Sequence, residues 1–297
     1  MRVVTLLPGA TEIVAALGGA GSLVAISHEC DYPPSVQHLP RVTSTPLDPR
    51  LPGAAIDAEV RRLRDTGRAV IAVEAEELRR LQPDLIITQD LCEVCAVADG
   101  EVHRLAGALD PAPRVLALMG RTVAGVMTDI LEVARALDLE AEGDELTAGL
   151  RSRLARLRHT APATPPNVLC VEWLEPLYLA GHWVPDLVAA AGGRDVGSVS
   201  GAHSAISSWA AAAALRPDLI VVMLCGFGIP RARAELAALR DGGADQVLGS
   251  VPVWVLDGNA YSSRPGPRLM DGAERLQAAM HGVERRGLEL WRSIQSA

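Results

Sequence analysis

The sequence predicts an α/β protein of two similar lobes with mainly parallel sheets, joined by a helical connector. Three observations predict it. Residues 81–92 (LQPDLIITQDLC) and 215–225 (LRPDLIVVMLC) repeat one unit: a helix-ending leucine, a Pro-Asp turn, a short buried strand and a cysteine. Strand patterns alternate with helix patterns in both halves, which implies parallel strands covered on both faces. The composition is 49% hydrophobic but holds only 5 Trp, 3 Tyr and 1 Phe. Its apolar mass is therefore Ala, Val and Leu, as in a packed α/β core.

The first lobe is expected over residues 1–121. Its opening, MRVVTLLPGATEIVAALGG, reads as a strand, a turn at Pro8-Gly9 and a helix ending in Gly-Gly. Strands follow near 24–27 and 85–88, and RVLALMGRT supplies another. Residues 122–166 are a helical connector, with apolar residues at helical spacing and i,i+4 charge pairs. Gly143 is expected to divide it, with the second helix running from Asp144 to about Arg158 before TAPATPP breaks it. The second lobe spans 167–297, with strands at 168–171, 219–224 and 253–256. NVLCVEWLEP…HWVPDLVAAAGG repeats the strand, Pro-containing loop and helix of the opening, and VWVLDGNAY pairs more loosely with RVLALMGRT. A helical connection is stiffer than crossing strands, so hinge motion should be small.

A net charge of −8 and a pI near 5.4 leave no basic stripe for phosphates, which argues against nucleic acid and anionic membrane surfaces as partners. No apolar run approaches the roughly 18 to 20 residues of a membrane span. The apolar opening is interrupted by Pro8-Gly9 and Glu12 and shows no small-residue cleavage site, so the expected location is cytoplasmic, or periplasmic or extracellular if a signal was removed. In a reducing compartment the thiols favour metal, ligand or packing roles over disulfides.

In open parallel sheets, ligands bind beyond the carboxyl ends of the strands. Here those loops are rich in rings and polar groups. The candidate lining residues are Cys30, Asp31 and Tyr32 after the second strand, and Cys92, Glu93 and Cys95 in QDLCEVC. Glu172, Trp173, His182 and Trp183 come from EWLEPLYLAGHW. Cys225 and Phe227 come from CGFG, and Asn259, Tyr261 and Arg264 from DGNAYSSRPGPR. A chain that packs with Ala, Val and Leu and keeps its rings for strand ends is building an aromatic cleft. The alternative is that the rings cap sheet edges.

Cys92 and Cys95 have the spacing of a zinc half-site, but no second CxxC exists. With Cys225 and His182 they are the candidate ligands of a zinc or iron–sulfur centre. A redox pair and plain small apolar residues remain open beside that reading. His182-Trp183 suits stacking on, or coordination to, a flat metal complex. His28 reads as a structural histidine. His203 with Ser204, Ser207 and Ser208 lacks the elbow of a nucleophile, and the glycine runs lack phosphate-loop spacing. Nothing commits the chain to a catalytic reaction.

LLPGATEIVAALG, SHECDYPP, LQPDLIITQDLCEVCAV, CVEWLEPLYLAGHWVPDLVAAAGG, LRPDLIVVMLCGF and DGNAYSSRPGPRLMDG together resemble the cobalamin-binding branch of the substrate-binding proteins of ABC transporters. That group includes binders of siderophore–iron and haem. The resemblance implies two α/β lobes joined by a long helix and a rigid cleft for a bulky metal chelate. It implies a corrinoid, cobalamin-like, or another tetrapyrrole as ligand, no enzymatic activity, and docking to a transporter permease. A cytoplasmic thiol-rich metal protein, or an enzyme using the cleft cysteines, is the alternative from the residues themselves.

Overall fold

The computed structural model describes residues 1–90 and 99–292. The chain begins β1 (Val3–Thr5), α1 (Pro8–Ala16), β2 (Leu23–Ala25), β3 (Thr43–Ser44) and α2 (Gly53–Asp65). It continues β4 (Ala72–Val73), α3 (Ala75–Leu81), β5 (Leu85–Gln89), α4 (Asp99–Ala106) and β6 (Arg114–Leu118). Two helices follow, α5 (Val123–Ala136) and α6 (Glu140–His159). The second half starts β7 (Asn167–Leu174), β8 (Leu177–Leu179), α7 (Val184–Ala191), β9 (Arg194–Asp195) and β10 (Ala205–Ile206). Next come α8 (Trp209–Ala214), β11 (Leu219–Val222), α9 (Ile229–Ala238) and α10 (Gly242–Leu248). The last elements are β12 (Val253–Leu256), α11 (Gly258–Tyr261), α12 (Leu269–Met280) and β13 (Leu288–Arg292).

Each half builds its own sheet. The first has the order β2-β1-β5-β6 with every pair parallel, and β3 and β4 form a separate antiparallel pair. The second has the order β10-β8-β7-β11-β12-β13, with β9 also on β7. Its β9, β7, β11 and β12 run parallel, and β8, β10 and β13 join antiparallel. The neighbours β1, β5 and β6 thus correspond to β7, β11 and β12. Two α/β lobes result.

The Pro-Asp repeat acts identically in both. Asp84 accepts the Arg2 amide at 2.6 Å and its own amide donates to Arg2 O at 2.8 Å. Asp218 accepts the Asn167 amide at 2.7 Å and donates back to Asn167 O at 2.8 Å. Each aspartate therefore ties the start of its strand to the start of the neighbouring one. The residues before the prolines, Gln82 and Arg216, both take a left-handed backbone, φ 44° and 49°, which ends the preceding helix.

Gly143 does not divide the connector. The break falls at residues 137–139, where Asp138 has φ 57°, and Gly143 sits inside α6. A Cβ there would stand 2.5 Å from the Ala134 Cβ, so this glycine lets α6 lie against α5 instead of ending it. Thr122 caps α5, its hydroxyl accepting the Gly125 amide at 3.0 Å.

Each sheet is covered on both faces. Val4, Leu6 and Ile86 pack with Leu63, Leu78 and Val102 of α2, α3 and α4. Leu169, Val171, Ile220, Val222 and Val253 pack with Ala212, Leu236 and Val247 of α8, α9 and α10. The remaining faces share one core: Val3, Leu85 and Ile87 of the first sheet and Val168, Val221 and Trp254 of the second meet in a single cluster with α1, α5, α6, α7 and α12. At about 2 kcal/mol for each buried Leu or Ile, this shared core joins the lobes firmly behind the cleft. No helix among the described residues is long and apolar enough to cross a membrane.

Candidate functional site

The strand ends of the two lobes face each other and are tied by two polar seams. The first is built on α1, whose Glu12 is 3% exposed. Arg268 donates to it from Nε at 2.8 Å and from Nη2 at 2.5 Å, and Arg264 Nη1 reaches it at 3.2 Å. Arg264, itself 5% exposed, also donates to the Asp31 carboxylate and, at 2.7 Å, to Asn259 Oδ1. Asn259 Nδ2 completes the ring by donating to Asp31 Oδ2 at 2.7 Å, and Arg268 lies 4.2 Å over the Tyr32 ring. Close approach of the segment bearing these arginines needs Gly9, where a Cβ would be 2.7 Å from Pro265 O. Burial pushes the Asp31 carboxyl up, but the bonds and charge of Arg264, with Asn259 and Arg268, outweigh it and hold it below the usual carboxylate range.

The second seam lies where α9 meets the entry to α2. Glu235 Oε2 accepts the Gly53 amide at 3.0 Å, and Arg231 donates to Pro49 O at 3.2 Å and to Leu51 O. Arg231 stacks 4.7 Å over Phe227, whose ring is 5.3 Å from that of Trp173. Behind them is room for about one water, about 10 Å³, lined by Gly53, Trp173, Glu175 and Glu235. The Trp173 indole Nε1 is buried there without a hydrogen-bond partner among the described residues.

His182 stands on a third edge. It has a left-handed backbone, φ 54°, fixed by its amide to Ala202 O at 2.6 Å and by the Gly201 amide to its own carbonyl at 2.9 Å. Burial pushes its imidazole below the usual histidine value, with the His203 ring and the Arg121 charge adding to the effect. Its Nε2 is buried and has no hydrogen-bond partner among the described residues.

The expected lining residues divide accordingly. Asp31, Tyr32, Asn259 and Arg264 come together, as do Trp173 and Phe227. Cys30 is instead in the core at 2% exposure, bonded to the Thr11 hydroxyl at 3.0 Å, and burial pushes its thiol up to about 11. Trp183 is buried too, its Nε1 donating to Ser262 O at 2.8 Å, so it supports the loop rather than facing a ligand. Tyr261 is half-buried under Arg275, whose guanidinium is 3.7 Å from its ring centroid. Cys225 and Glu172 are partly exposed, and the Cys225 amide donates to Glu172 O at 3.1 Å. Cys170 lies within β7, not beyond it, fully enclosed against Asp195.

Cys92, Glu93 and Cys95 lie outside the described residues. Among the described residues, no three His, Cys, Asp or Glu side chains gather as a metal site, and two of the four expected ligands, Cys92 and Cys95, lie outside those residues. Glu12, Arg268, Arg231 and Glu235 build these seams without having been marked by sequence patterns, and His203, noted in the sequence only beside its serines, stands next to His182. A groove of about 390 Å³ lined by Pro166, Leu219, Pro252, Trp254 and Leu290 is far from this chemistry, at the amino ends of β7, β11 and β12. The strand-end position and the converging polar groups make the seam between the lobes the stronger site.

Two α/β lobes that meet at their strand ends have the architecture of a solute-binding protein. The chain belongs to the periplasmic binding protein family, whose model matches residues 3–255. Members of this family bind solutes and work with ABC transporters. A periplasmic haem-binding protein from Pseudomonas aeruginosa has the same fold at 22% identity, TM-score 0.73, with 99% of each chain covered. The periplasmic vitamin B12 binding protein of Vibrio cholerae superposes at 22% identity and TM-score 0.64, covering 94% of this chain and 96% of that one. A periplasmic haem-binding protein of Vibrio cholerae gives 20% identity and TM-score 0.68, covering 95% and 99%. No curated protein matches the chain in sequence.

Proposed function

We propose that this chain binds a planar metal chelate between its lobes, with a corrinoid as the first choice and another tetrapyrrole such as haem as the second, and releases it unchanged. The observation that supports it is the gathering of Tyr32, Trp173, Phe227, Arg264 and Asn259 from both lobes at opposed strand ends, in a chain with so few rings. Stacking a macrocycle on two or three such rings contributes several kcal/mol at about 25 cal/mol per Å² before ordering costs. Relatives in fold that are named for vitamin B12 and haem agree with this ligand size. The lobe bounds 1–121 and 167–297, with 122–166 between them, and docking of the loaded protein to a transporter permease belong to the same reading. A cytoplasmic site of action, or a periplasmic or extracellular one if a signal was removed, belongs to the same reading.

Titration calorimetry with cobalamin, cobinamide and haem tests it, with quenching of tryptophan fluorescence as the second readout. Binding of one of the three tighter than about 100 micromolar is expected, and Trp173→Ala should weaken it by about 1 to 3 kcal/mol. If none of the three binds, the chelate reading fails and the cysteine-centred alternative replaces it.

A further inference from the structure

His182 and His203 are placed together by the backbone. The loop carrying His203 is bonded to both the amide and the carbonyl of His182. At Gly181 a Cβ would meet Ala202 O at 2.5 Å, so no larger residue allows the two segments to approach this closely. The rings stand 5.3 Å apart, centroid to centroid, and nearly perpendicular at 84°. With a bond of about 2.0 Å to each ring nitrogen, two imidazoles at adjacent positions on one ion place their centroids roughly 4.5 to 5.5 Å apart. The spacing suits chelation by both rings.

Three further features point to a ligand. The His182 Nε2 is a buried polar atom with no hydrogen-bond partner among the described residues, and such atoms in folded proteins call for an explanation. His182 holds a left-handed backbone rare for a non-glycine residue, a kind of strain that collects at ligand clamps. His203 is exposed, so a turn of its ring opens the space between the two imidazoles at little cost. Arg121 directly precedes Thr122, whose methyl would stand 3.2 Å from a Cβ at Gly201 in the loop that leads to His203, and its charge reaches His182. Met119 and Val199, 62% and 70% exposed, give apolar surface on the segments that carry Arg121 and His203.

We propose that His182 and His203 form a two-imidazole site for a borderline transition-metal ion that retains two adjacent exchangeable positions and arrives in an open, anionic chelate. Imidazole suits Zn, Cu, Ni and Co, whereas harder ions prefer oxygen. The guanidinium of Arg121 disfavours a bare dication and attracts a complex whose carboxylates make it an anion. The site does not depend on the corrinoid reading. Two rings on one side cannot both reach a metal enclosed in a planar macrocycle, so the two proposals concern different ligands.

Nickel nitrilotriacetate is the probe, because it is anionic and leaves two adjacent positions open. Untagged protein is titrated calorimetrically at pH 8 with this complex and, separately, with aqueous Ni²⁺. One-to-one binding of the complex is expected, tighter than that of the ion. His203→Ala and His182→Asn should each weaken it at least tenfold; asparagine tolerates the left-handed backbone, and circular dichroism confirms folding. Arg121→Ala should remove the margin of the complex over the ion. Absence of binding to the parent protein, or binding within twofold of the parent in either histidine variant, would overturn the proposal, as would binding of the ion without the complex. Cobalamin and haem titrations of the same variants report separately on the other reading.

Discussion

The lobes are joined twice, by means that differ in kind. Behind the cleft, α5, α6, α7 and α12 share one apolar core with both sheets, including Leu150, Leu157, Val188 and Leu276. Across the mouth the joins are polar: Glu12 and Asp31 against Arg264 and Arg268, and Gly53 and Leu51 against Glu235 and Arg231. The difference teaches where adaptation can occur. Apolar packing is close-fitting and indifferent to salt, whereas ion pairs respond to salt, pH and competing ligands. A ligand can therefore rearrange the mouth while the rear join holds the lobe angle nearly fixed.

The rear join should give the largest effect. Leu276 of α12 is fully buried where the helix meets both α6 and α7. Leu276→Ala should destabilise the protein by about 2 to 5 kcal/mol, with the cavity adding to the lost transfer energy. Denaturant unfolding at low and at 1 M salt measures it, and the loss should be the same in both. A loss that changes by more than about 1 kcal/mol with salt would show that the rear join is not purely apolar.

The Glu12 seam comes next. Glu12→Gln keeps the shape but removes the charge between two guanidinium groups, of which Arg264 is almost fully buried. A cost of about 2 kcal/mol is expected, less than for an isolated buried pair because Asp31 and Asn259 still hold Arg264. Unlike the Leu276 variant, this one should shrink the salt dependence of stability. An unchanged salt dependence would remove the contrast between the two joins.

How far could the sequence show this? The fold was legible because it is written in local, repeated signals: the Pro-Asp units at 83–84 and 217–218 and the strand-helix alternation. The ends of strands were legible for the same reason: Asp31, Tyr32, Asn259 and Arg264 come together, as do Trp173 and Phe227. The pairing of Glu12 with Arg264 and Arg268 spans more than 250 positions and leaves no local trace. Burial was hidden as well, since a loop next to a strand end can turn inward, as Cys30 and Trp183 do. Gly143 was misread because a glycine that ends a helix and one that admits a neighbouring helix look alike in sequence.

A third prediction uses pH. Burial pushes the Asp195 carboxyl up to about 6, although its Oδ1 accepts the Gly197 and Ser198 amides at 2.8 and 3.0 Å. Its carboxyl group lies against Cys170, and its Oδ2 has no hydrogen-bond partner among the described residues. An acid whose folded value is raised binds its proton more tightly when folded. Its contribution is therefore present below the ordinary value near 4 and is lost as pH rises through about 6. Asp195→Asn keeps the Oδ1 acceptor without the charge, so it should stabilise the protein by about 1 kcal/mol at pH 8 and by nothing at pH 4. Melting temperatures of both proteins across that window decide it; a gain that persists at pH 4 would mean that the charge is not the cause.

The smallest effect is expected at the Arg231 seam. Its side chain is 30% exposed and its partner Glu235 16%, so water competes for every bond it makes. Removing an exposed ion pair costs about 0.5 to 1 kcal/mol, and global stability is a poor readout at that size. Local opening is a better one. The Gly53 amide is held by the Glu235 carboxylate, and Arg231 both orients that carboxylate at 2.8 Å and clasps the carbonyls of Pro49 and Leu51. Arg231→Ala frees the carboxylate and the loop together, so hydrogen exchange at Gly53 should accelerate roughly five- to tenfold while amides of β5 and β11 keep their rates. Equal acceleration in the strands would mean that this seam supports the whole fold, and no acceleration at Gly53 would mean that the mouth is held by the Glu12 seam alone.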